Sequence, residues 1–586
     1  IGNRKSQKTI MSDYNLDKRR YVIGGVAIAI VVVYIIRLFT LQLLSDDYKK
    51  NADSNAFLKK IEYPSRGAIS DRNGKLLVYN QPAYDIMVIM NEESGRIDTT
   101  EFCQALGITK EFFIKRMNDI KDYSKNPGYS RYTQQIFMSQ LSYEEFSRFR
   151  EKMFRFPGFY VQKRSIRQYQ YGYAAHILGD VAEVSPADIE DDSYYQPGDY
   201  IGKLGVEKYY EKELRGEKGV QVLLRDARGR IQGQYQHGIY DRRPVAGKDL
   251  TLSIDANLQA LGERLLEGKM GSIVAIEPST GEVLCMVSAP SYDPRIMVGR
   301  SRSKNHRLLS RDAWKPLLNR SIMGMYPPGS TFKLYTLLEY MRENEDFNKF
   351  SYRCTGKIGT GDGSIRCYGN EVHGKINLKQ AFAESCNAAF AQIGSGLNTK
   401  SWTKLCEQFY YNTTLPIKEL EQKSSRFSLD KASTGDIMQA AIGQGTVLTT
   451  PLQNSFLVSA ALNDGVLMKP YLVDRIQTHD GDVVTKNEPE QAKQLLSTEE
   501  AAVLRRYMRE TVTSGTATAL SAGSYKAGGK TGSAQYKAGS SDSHAWFVGY
   551  AVKGEKKLVV SIVVEGAGTG SAYAVPIARK IFDQYF

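Results

Sequence analysis

Three short patterns in this chain carry residue types that can do chemistry together. They are Ser330-Thr-Phe-Lys333, Ser385-Cys-Asn387 and Lys530-Thr-Gly532, in that order. A hydroxyl and an amine three residues apart share one face of a helix. Tyr326-Pro-Pro-Gly329 forms a turn that cannot continue a preceding helix, and Phe332, Leu334, Tyr335, Leu337 and Leu338 pattern an apolar helix after it. Ser330 is therefore expected at a helix N-terminus, where backbone N–H groups are free and the dipole favours an anion. The helix is apolar enough to be buried, a buried lysine tends to lose its proton, and a neutral amine can act as a base. The first pattern thus sets a hydroxyl beside an amine able to act as a base.

Each pattern alone is weak. Ser301/Lys304 and Ser401/Lys404 repeat the first spacing, and Ser124/Asn126 and Ser303/Asn305 repeat the second. Those copies read as ordinary solvated surface, because none has a Pro-Pro-Gly turn before it and an apolar helix after it.

A second cluster joins Cys354, Cys367, His373 and Cys386, with Cys103, Cys285 and Cys406 outside it. Three thiolates and an imidazole are a common structural zinc set, although the spacing matches no standard finger. A metal on Cys386 would hold the Ser385–Asn387 segment from behind, with Ser385 and Asn387 facing the cleft. The alternatives are a Cys354–Cys367 disulfide with Cys386 a buried thiol, or unlinked thiols throughout. His544, near the last strands, reads as structural.

Several elements must position these groups. Tyr21 to Ile36 lacks any charge, Arg37 interrupts, and Leu38 to Leu44 resumes the apolar run. Twenty-four residues at about 1.5 Å each reach about 36 Å, enough to cross a hydrocarbon core of about 30 Å. Lys18, Arg19 and Arg20 precede the span, which places residues 1–20 in the cytoplasm and the chain after Ser45 outside it. The stretch is longer than a signal-peptide core and no small-x-small site follows, so an uncleaved anchor is expected. Met11 reads as a native start, with residues 1–10 added or upstream sequence.

Beyond the anchor, Asp46–Lys60 reads as a juxtamembrane helix, and Asn73-Gly74 as a hairpin turn leading into Leu76–Tyr79. Residues 95–160 read as short charged helices and Arg167–Gly179 as strand or loop. Gly202–Glu207 opens one helix running to Leu214, and Val220–Leu224 is strand-like. From Leu250 the order changes to a helix over Asp255–Gly268 and a hairpin of Ser272–Ile276 with Val283–Ser288. A helix-rich middle follows, then strands Ala545–Val552 and Leu558–Val564, and a closing helix over Val575–Gln584. That order predicts one sheet closed by distant parts of the chain.

The chain has 586 residues, 42% apolar and 24% charged, with Lys plus Arg 78 against Asp plus Glu 64 and a net charge of +14. Global disorder is excluded, as are collagen-like and disulfide-dense classes, with Gly 51, Pro 18 and Cys 6. The basic excess is dispersed and lies on no recognisable module, so nucleic acid is not an expected partner. It suits proximity to an anionic membrane or polymer.

The three patterns in this order are the signature set of serine penicillin-binding enzymes. The chain resembles the class B penicillin-binding proteins, monofunctional D,D-transpeptidases of peptidoglycan synthesis, over nearly its whole length. Arg66-Gly67 with Asp71-Arg72-Asn73-Gly74, Ala174–Gly179 and Gly202–Glu207 look like their pedestal motifs. Gly443-Gln-Gly445 and Thr450-Pro-Leu-Gln453 look like their transpeptidase middle. Within the class the likeness is to the elongation type, penicillin-binding protein 2.

The resemblance implies an α+β or α/β multidomain protein. Residues 1–20 would be a cytoplasmic tail, 21–44 a transmembrane anchor, and 45–249 an elongated mixed pedestal. Residues 250–586 would be a transpeptidase domain with an antiparallel sheet flanked by helices. It implies Ser330 as nucleophile, Lys333 as base, Ser385 as proton relay, and Asn387 as the group placing the substrate amide. Lys530 would add positive charge, Thr531, Gly532 and Ser533 would form the carboxylate-binding strand, and the N–H groups of Ser330 and Ser533 the oxyanion hole. No cofactor is required for that chemistry; zinc at Cys354, Cys367, His373 and Cys386 would be structural.

Implied partners are peptidoglycan stem peptides, β-lactams, the cytoplasmic membrane, a RodA-like SEDS polymerase and elongation-complex proteins. The alternatives are a division-type transpeptidase or a β-lactam-acylated sensor or scaffold. A β-lactamase is a further reading, but no base aimed at a hydrolytic water is identifiable.

Overall fold

The computed structural model describes residues 16–39, 57–92, 97–126, 129–225, 231–359, 364–535 and 542–586. Helix α1 (Leu16–Phe39) contains an apolar window, Tyr21–Phe39, none of it buried against the rest of the protein. Nineteen residues of such composition with no protein cover match the length of a bilayer core. The rest of the expected span, residues 40–44, and most of the expected juxtamembrane helix, 46–56, lie outside the described residues.

Residues 57–60 depart from that expected helix. Phe57–Glu62 is strand β1, paired antiparallel with a later strand from Leu224 to Gly219. The pairing decides the conformation here, since tertiary partners override a weak local preference. Residues 69–70 form β2 and Leu76–Val88 form β3, joined by the turn at Asn73-Gly74 with Gly74 at φ +81°.

Between residues 95 and 160 the expected helices are present as α2 (Thr99–Leu106), α3 (Lys110–Lys121) and α4 (Tyr143–Arg150). The sequence reading missed β4 (Gln135–Leu141) and the start of β5 (Phe159–Tyr169) there. Both strands pair antiparallel with β3. The helices cover them with a phenylalanine core of Phe102, Phe113, Phe137, Phe149, Phe156 and Phe159. The helix expected from Gly202 to Leu214 is two short ones, Gly205–Tyr209 and Glu211–Leu214, divided at Tyr210.

Strand β6 (Gly219–Arg225) lies between β1 and β7 (Ile231–Gln234). Strand β8 (Asp249–Leu252) runs parallel to β2 on one edge and antiparallel to a strand at 473–477 on the other. One sheet therefore runs from the first half of the chain into the second.

The motifs of the first half meet in a buried ion network. Arg66 Nε donates to Glu207 Oε2 at 2.7 Å and its Nη2 to Glu211 Oε2 at 2.6 Å, while Arg167 Nε reaches Glu207 Oε1 at 2.6 Å. Burial alone would raise the Glu207 carboxyl, but Arg167 and Arg66 outweigh it and hold it below its ordinary range. Asp71 accepts from Asn73 N, Lys75 N and Ala256 N, fastening the hairpin to the first helix of the second half.

That helix is α5 (Ala256–Leu265), followed by the hairpin β9 (Gly271–Ile276) and β10 (Val283–Ala289). Three strands from the end of the chain complete the sheet: β11 (Lys526–Gln535), β12 (Ser543–Lys553) and β13 (Lys556–Val564). Its order is β10-β9-β13-β12-β11, antiparallel throughout, so β11 is an edge. Side-chain alternation sends Ile273 and Ala275 into one core with the terminal helix α6 (Gly570–Tyr585), and Val274 and Ile276 into the other with the helical middle. Burial on both faces explains why these strands read as unbroken apolar runs.

Candidate active site

Ser330 lies in a 3-10 turn, Gly329–Phe332, that leads directly into the helix Lys333–Glu343. Gly329 stands at φ +55°, its N–H donates to Gly443 O at 2.9 Å, and a Cβ there would sit 3.0 Å from Ala534 Cβ. Glycine is required by both the backbone angle and the close approach. Trp546 Nε1 donates to Pro327 O at 3.0 Å, and Tyr326 OH donates to Glu565 Oε1 at 2.7 Å. Arg320 Nε donates to the same Glu565 oxygen at 2.8 Å. Of these props only Tyr326 stands in a sequence pattern; single polar residues scattered over 245 positions carry no spacing signal.

Lys333 is fully buried. Its amine donates to Ser385 O at 2.7 Å and Asn387 Oδ1 at 2.8 Å, and lies 3.3 Å from Ser385 Oγ. Burial lowers it to about 7, opposed by the thiols of Cys386 and Cys367. A neutral amine has two N–H groups and one lone pair. The carbonyl and Oδ1 can only accept, so they take both N–H groups and leave the lone pair for a hydroxyl. Asn387 Nδ2 donates to Arg366 O at 2.9 Å, which fixes the amide with Oδ1 towards the lysine. Ser330 Oγ lies one turn before this amine and has no side-chain hydrogen bond to a described residue.

Ser385 adopts a left-handed backbone, φ +60°, immediately before the helix Asn387–Gly396. That turn sends Cys386 inward and leaves Ser385 and Asn387 half-buried. Cys386 Sγ caps the helix, accepting from Ala389 N at 3.4 Å. It lies 3.7 Å from Cys367 Sγ, which is 3.7 Å from Cys354 Sγ, which is 3.4 Å from His373 Nδ1. All four ligand atoms fall within 4.8 Å of one another. The Cys386 contact pushes the Cys367 thiol down, and the Cys367 contact pushes Cys386 up.

Edge strand β11 passes the Ser330 turn. A Cβ on Gly532 would stand 3.1 Å from Pro328 O and 3.3 Å from Thr331 Cγ2, and Ser533 O lies 3.2 Å from where a Gly329 Cβ would be. Thr531 and Lys530 are buried, and Lys530 Nζ donates to Thr531 O at 3.0 Å. Burial, then the charge of Lys333, push Lys530 well below its ordinary value. The strand thus brings into the cleft a buried lysine with no acidic side chain paired to it among the described residues. His544, opposite Ala534 on β12, accepts from Gly566 N at 3.2 Å and packs edge-on to Tyr326. The repeat patterns elsewhere are surface: Ser301, Lys304, Ser401 and Lys404 are all exposed.

Residues 271–583 match the penicillin binding protein transpeptidase domain, and residues 61–252 the penicillin-binding protein dimerisation domain. The chain is 30% identical over 617 residues to the peptidoglycan D,D-transpeptidase MrdA of Haemophilus influenzae, covering 98% of this chain and 92% of that one. A chain from a peptidoglycan synthase complex, described as coordinating polymerization and crosslinking, is 26% identical. It covers 97% of this chain and 98% of itself with a TM-score of 0.70. The penicillin-binding protein PBP2 of Helicobacter pylori, solved with MreC, shares the fold at 24% identity and a TM-score of 0.74, covering 90% of this chain and 100% of its own. With its two domains matched in order and a relative aligned along almost its full length, the chain belongs to the penicillin-binding transpeptidase family.

Proposed function

We infer that this protein is a membrane-anchored peptidoglycan D,D-transpeptidase that works through a serine acyl-enzyme in cell elongation. The observation that carries the reading is the meeting of Lys333, Ser385 and Asn387 beside the Ser330 turn, with β11 along its other side. Ser330 Oγ attacks the carbonyl carbon of the penultimate D-Ala of a stem peptide, and its proton passes to the free lone pair of Lys333. The tetrahedral intermediate collapses, the C–N bond breaks, and the proton travels by way of Ser385 to the departing D-Ala amine. An amine of a second stem peptide then attacks the ester, its proton returns through the same groups, and Ser330 regains its hydroxyl.

Asn387 orients the donor amide. Thr531 and Ser533 receive the terminal carboxylate, and the N–H groups of Ser330 and Ser533 hold the oxyanion, each worth about 3–4 kcal/mol in comparable sites. An arriving carboxylate supplies the countercharge that Lys530 lacks, so substrate binding favours its protonated form. A β-lactam is attacked in the same way and remains on Ser330.

The apolar helix α1 holds the chain in the cytoplasmic membrane, with Lys18, Arg19 and Arg20 inside and the catalytic half outside. Residues 45–249 serve as the pedestal and 250–586 as the transpeptidase unit. A SEDS-type polymerase and elongation-complex proteins are the partners, in line with the assemblies solved for the relatives.

Zinc is the structural ligand proposed for Cys354, Cys367, His373 and Cys386. Zn–S bonds of about 2.3 Å in a tetrahedron set S···S edges of about 3.8 Å, close to the 3.7 Å spacings here. Bound there, the ion would pin Cys386, and through it the Ser385–Asn387 turn.

The test is fluorescent penicillin labelling of wild type and Ser330→Ala. Wild type is expected to label and the variant to lose all label with unchanged thermal unfolding. Label surviving in the variant would move the nucleophile elsewhere.

A further inference from the structure

Thr516 belongs to none of the three motifs, yet it touches both walls of the cleft. It lies in the turn after the helix Thr498–Thr513. Its backbone N–H donates to Ala383 O at 3.3 Å, two residues before Ser385. Its hydroxyl stands 2.5 Å from that of Thr531 on β11. Three further contacts hold the turn. A Cβ on Gly515 would be 2.4 Å from Ala383 O, Ala517 N donates to Thr511 O at 3.0 Å, and Lys379 pairs with Glu510 at 3.1 Å across the same gap.

Each hydroxyl has one proton. If Thr531 is to donate to a substrate carboxylate, it cannot also donate to Thr516, so the short contact must run from Thr516 to Thr531 Oγ1. A hydroxyl that accepts while it donates is polarised in the useful direction, and a chain of such bonds strengthens each member. Thr531 is only 6% exposed, so little bulk water competes for its hydroxyl.

We propose that Thr516 is a positioning residue for carboxylate recognition: its hydroxyl donates to Thr531 Oγ1, frees the Thr531 proton for the substrate's terminal carboxylate, and ties β11 to the segment before Ser385. This rests on the transpeptidase reading above.

The test measures second-order acylation rates of the full chain in detergent, with a penicillin bearing its free carboxylate and with the methyl ester of that penicillin. Thr516→Val keeps the volume and removes the donor; the free acid should react about tenfold more slowly and the ester within about twofold of wild type. Thr516→Ser should restore the free-acid rate to within about twofold. The double variant Thr516→Val/Thr531→Val should be no slower than Thr531→Val alone, because Thr516 acts through Thr531.

A valine variant with unchanged free-acid rate, an equal loss on acid and ester, or additive losses in the double variant would each overturn the role. Should valine unfold the protein, Thr516→Ala is read by the same three criteria. A wild type that neither penicillin acylates would overturn the transpeptidase reading itself, whereas normal wild-type acylation with an unaffected valine variant would overturn only the role of Thr516.

Discussion

Nζ of Lys333 donates to Oδ1 of Asn387 across 2.8 Å, although 54 residues separate them along the chain. With Ser385 O taking the other N–H, the neutral amine keeps its lone pair for a hydroxyl, and burial brings it to about 7. A base in this state needs no further activation before a hydroxyl approaches it.

Acylation by penicillin should therefore rise with pH through about 7 and level off above it, because only the neutral amine accepts a proton. Stopped-flow rates between pH 5 and 9 test this. A profile flat across that range would remove Lys333 as the titrating base.

The same burial links Lys333 to stability. Its folded value, about 7, lies below the ordinary 10.5, so between those limits the unfolded chain holds more protons and rising pH favours the fold. Lys333→Met removes the amine at similar volume. It should slow acylation by about 10²–10⁴-fold while raising thermal stability below pH 7. Loss of stability at pH 6 would mean that the charged amine is well accommodated.

Protein purified without chelator should carry close to one zinc and, when denatured with the metal removed, show six reactive thiols from the six cysteines. Cys354→Ser should lose most of the metal and lower the melting temperature. Less than a tenth of an equivalent of zinc contradicts the metal reading, and four reactive thiols would identify a disulfide.

In the first half of the chain, Glu207→Ala leaves Arg66 and Arg167 buried without their shared carboxylate. It should cost about 3–5 kcal/mol, read by denaturant unfolding. The carboxyl is held below its ordinary range, so its contribution is full at neutral pH and is lost as pH falls through the folded value. A change below 1 kcal/mol would show that the network is replaceable.

Sequence carried the site's parts because they are local. Ser330 and Lys333 announce themselves through the Pro-Pro-Gly turn and the apolar helix, and the three segments proposed for the chemistry each occupy a few consecutive positions. The paired strands Ser272–Ile276 and Leu558–Val564 were legible as strands, being buried on both faces, although nothing in either names its partner. What escaped were features that only long-range pairing decides. Phe57–Lys60 has no strong local preference and becomes strand because Gln221–Leu224 lies beside it. The strands Gln135–Leu141 and Phe159–Tyr169 are hidden among charged residues because their other face meets solvent or helices. Thr516 reaches Thr531, and Glu565 reaches Tyr326, from distant positions with no motif of their own.

The most direct test of the account is peptide mapping of the penicillin-treated wild-type protein by mass spectrometry. A single penicilloyl adduct is expected, on the hydroxyl of Ser330. An adduct confined to any other residue, or none on a folded protein, would contradict it.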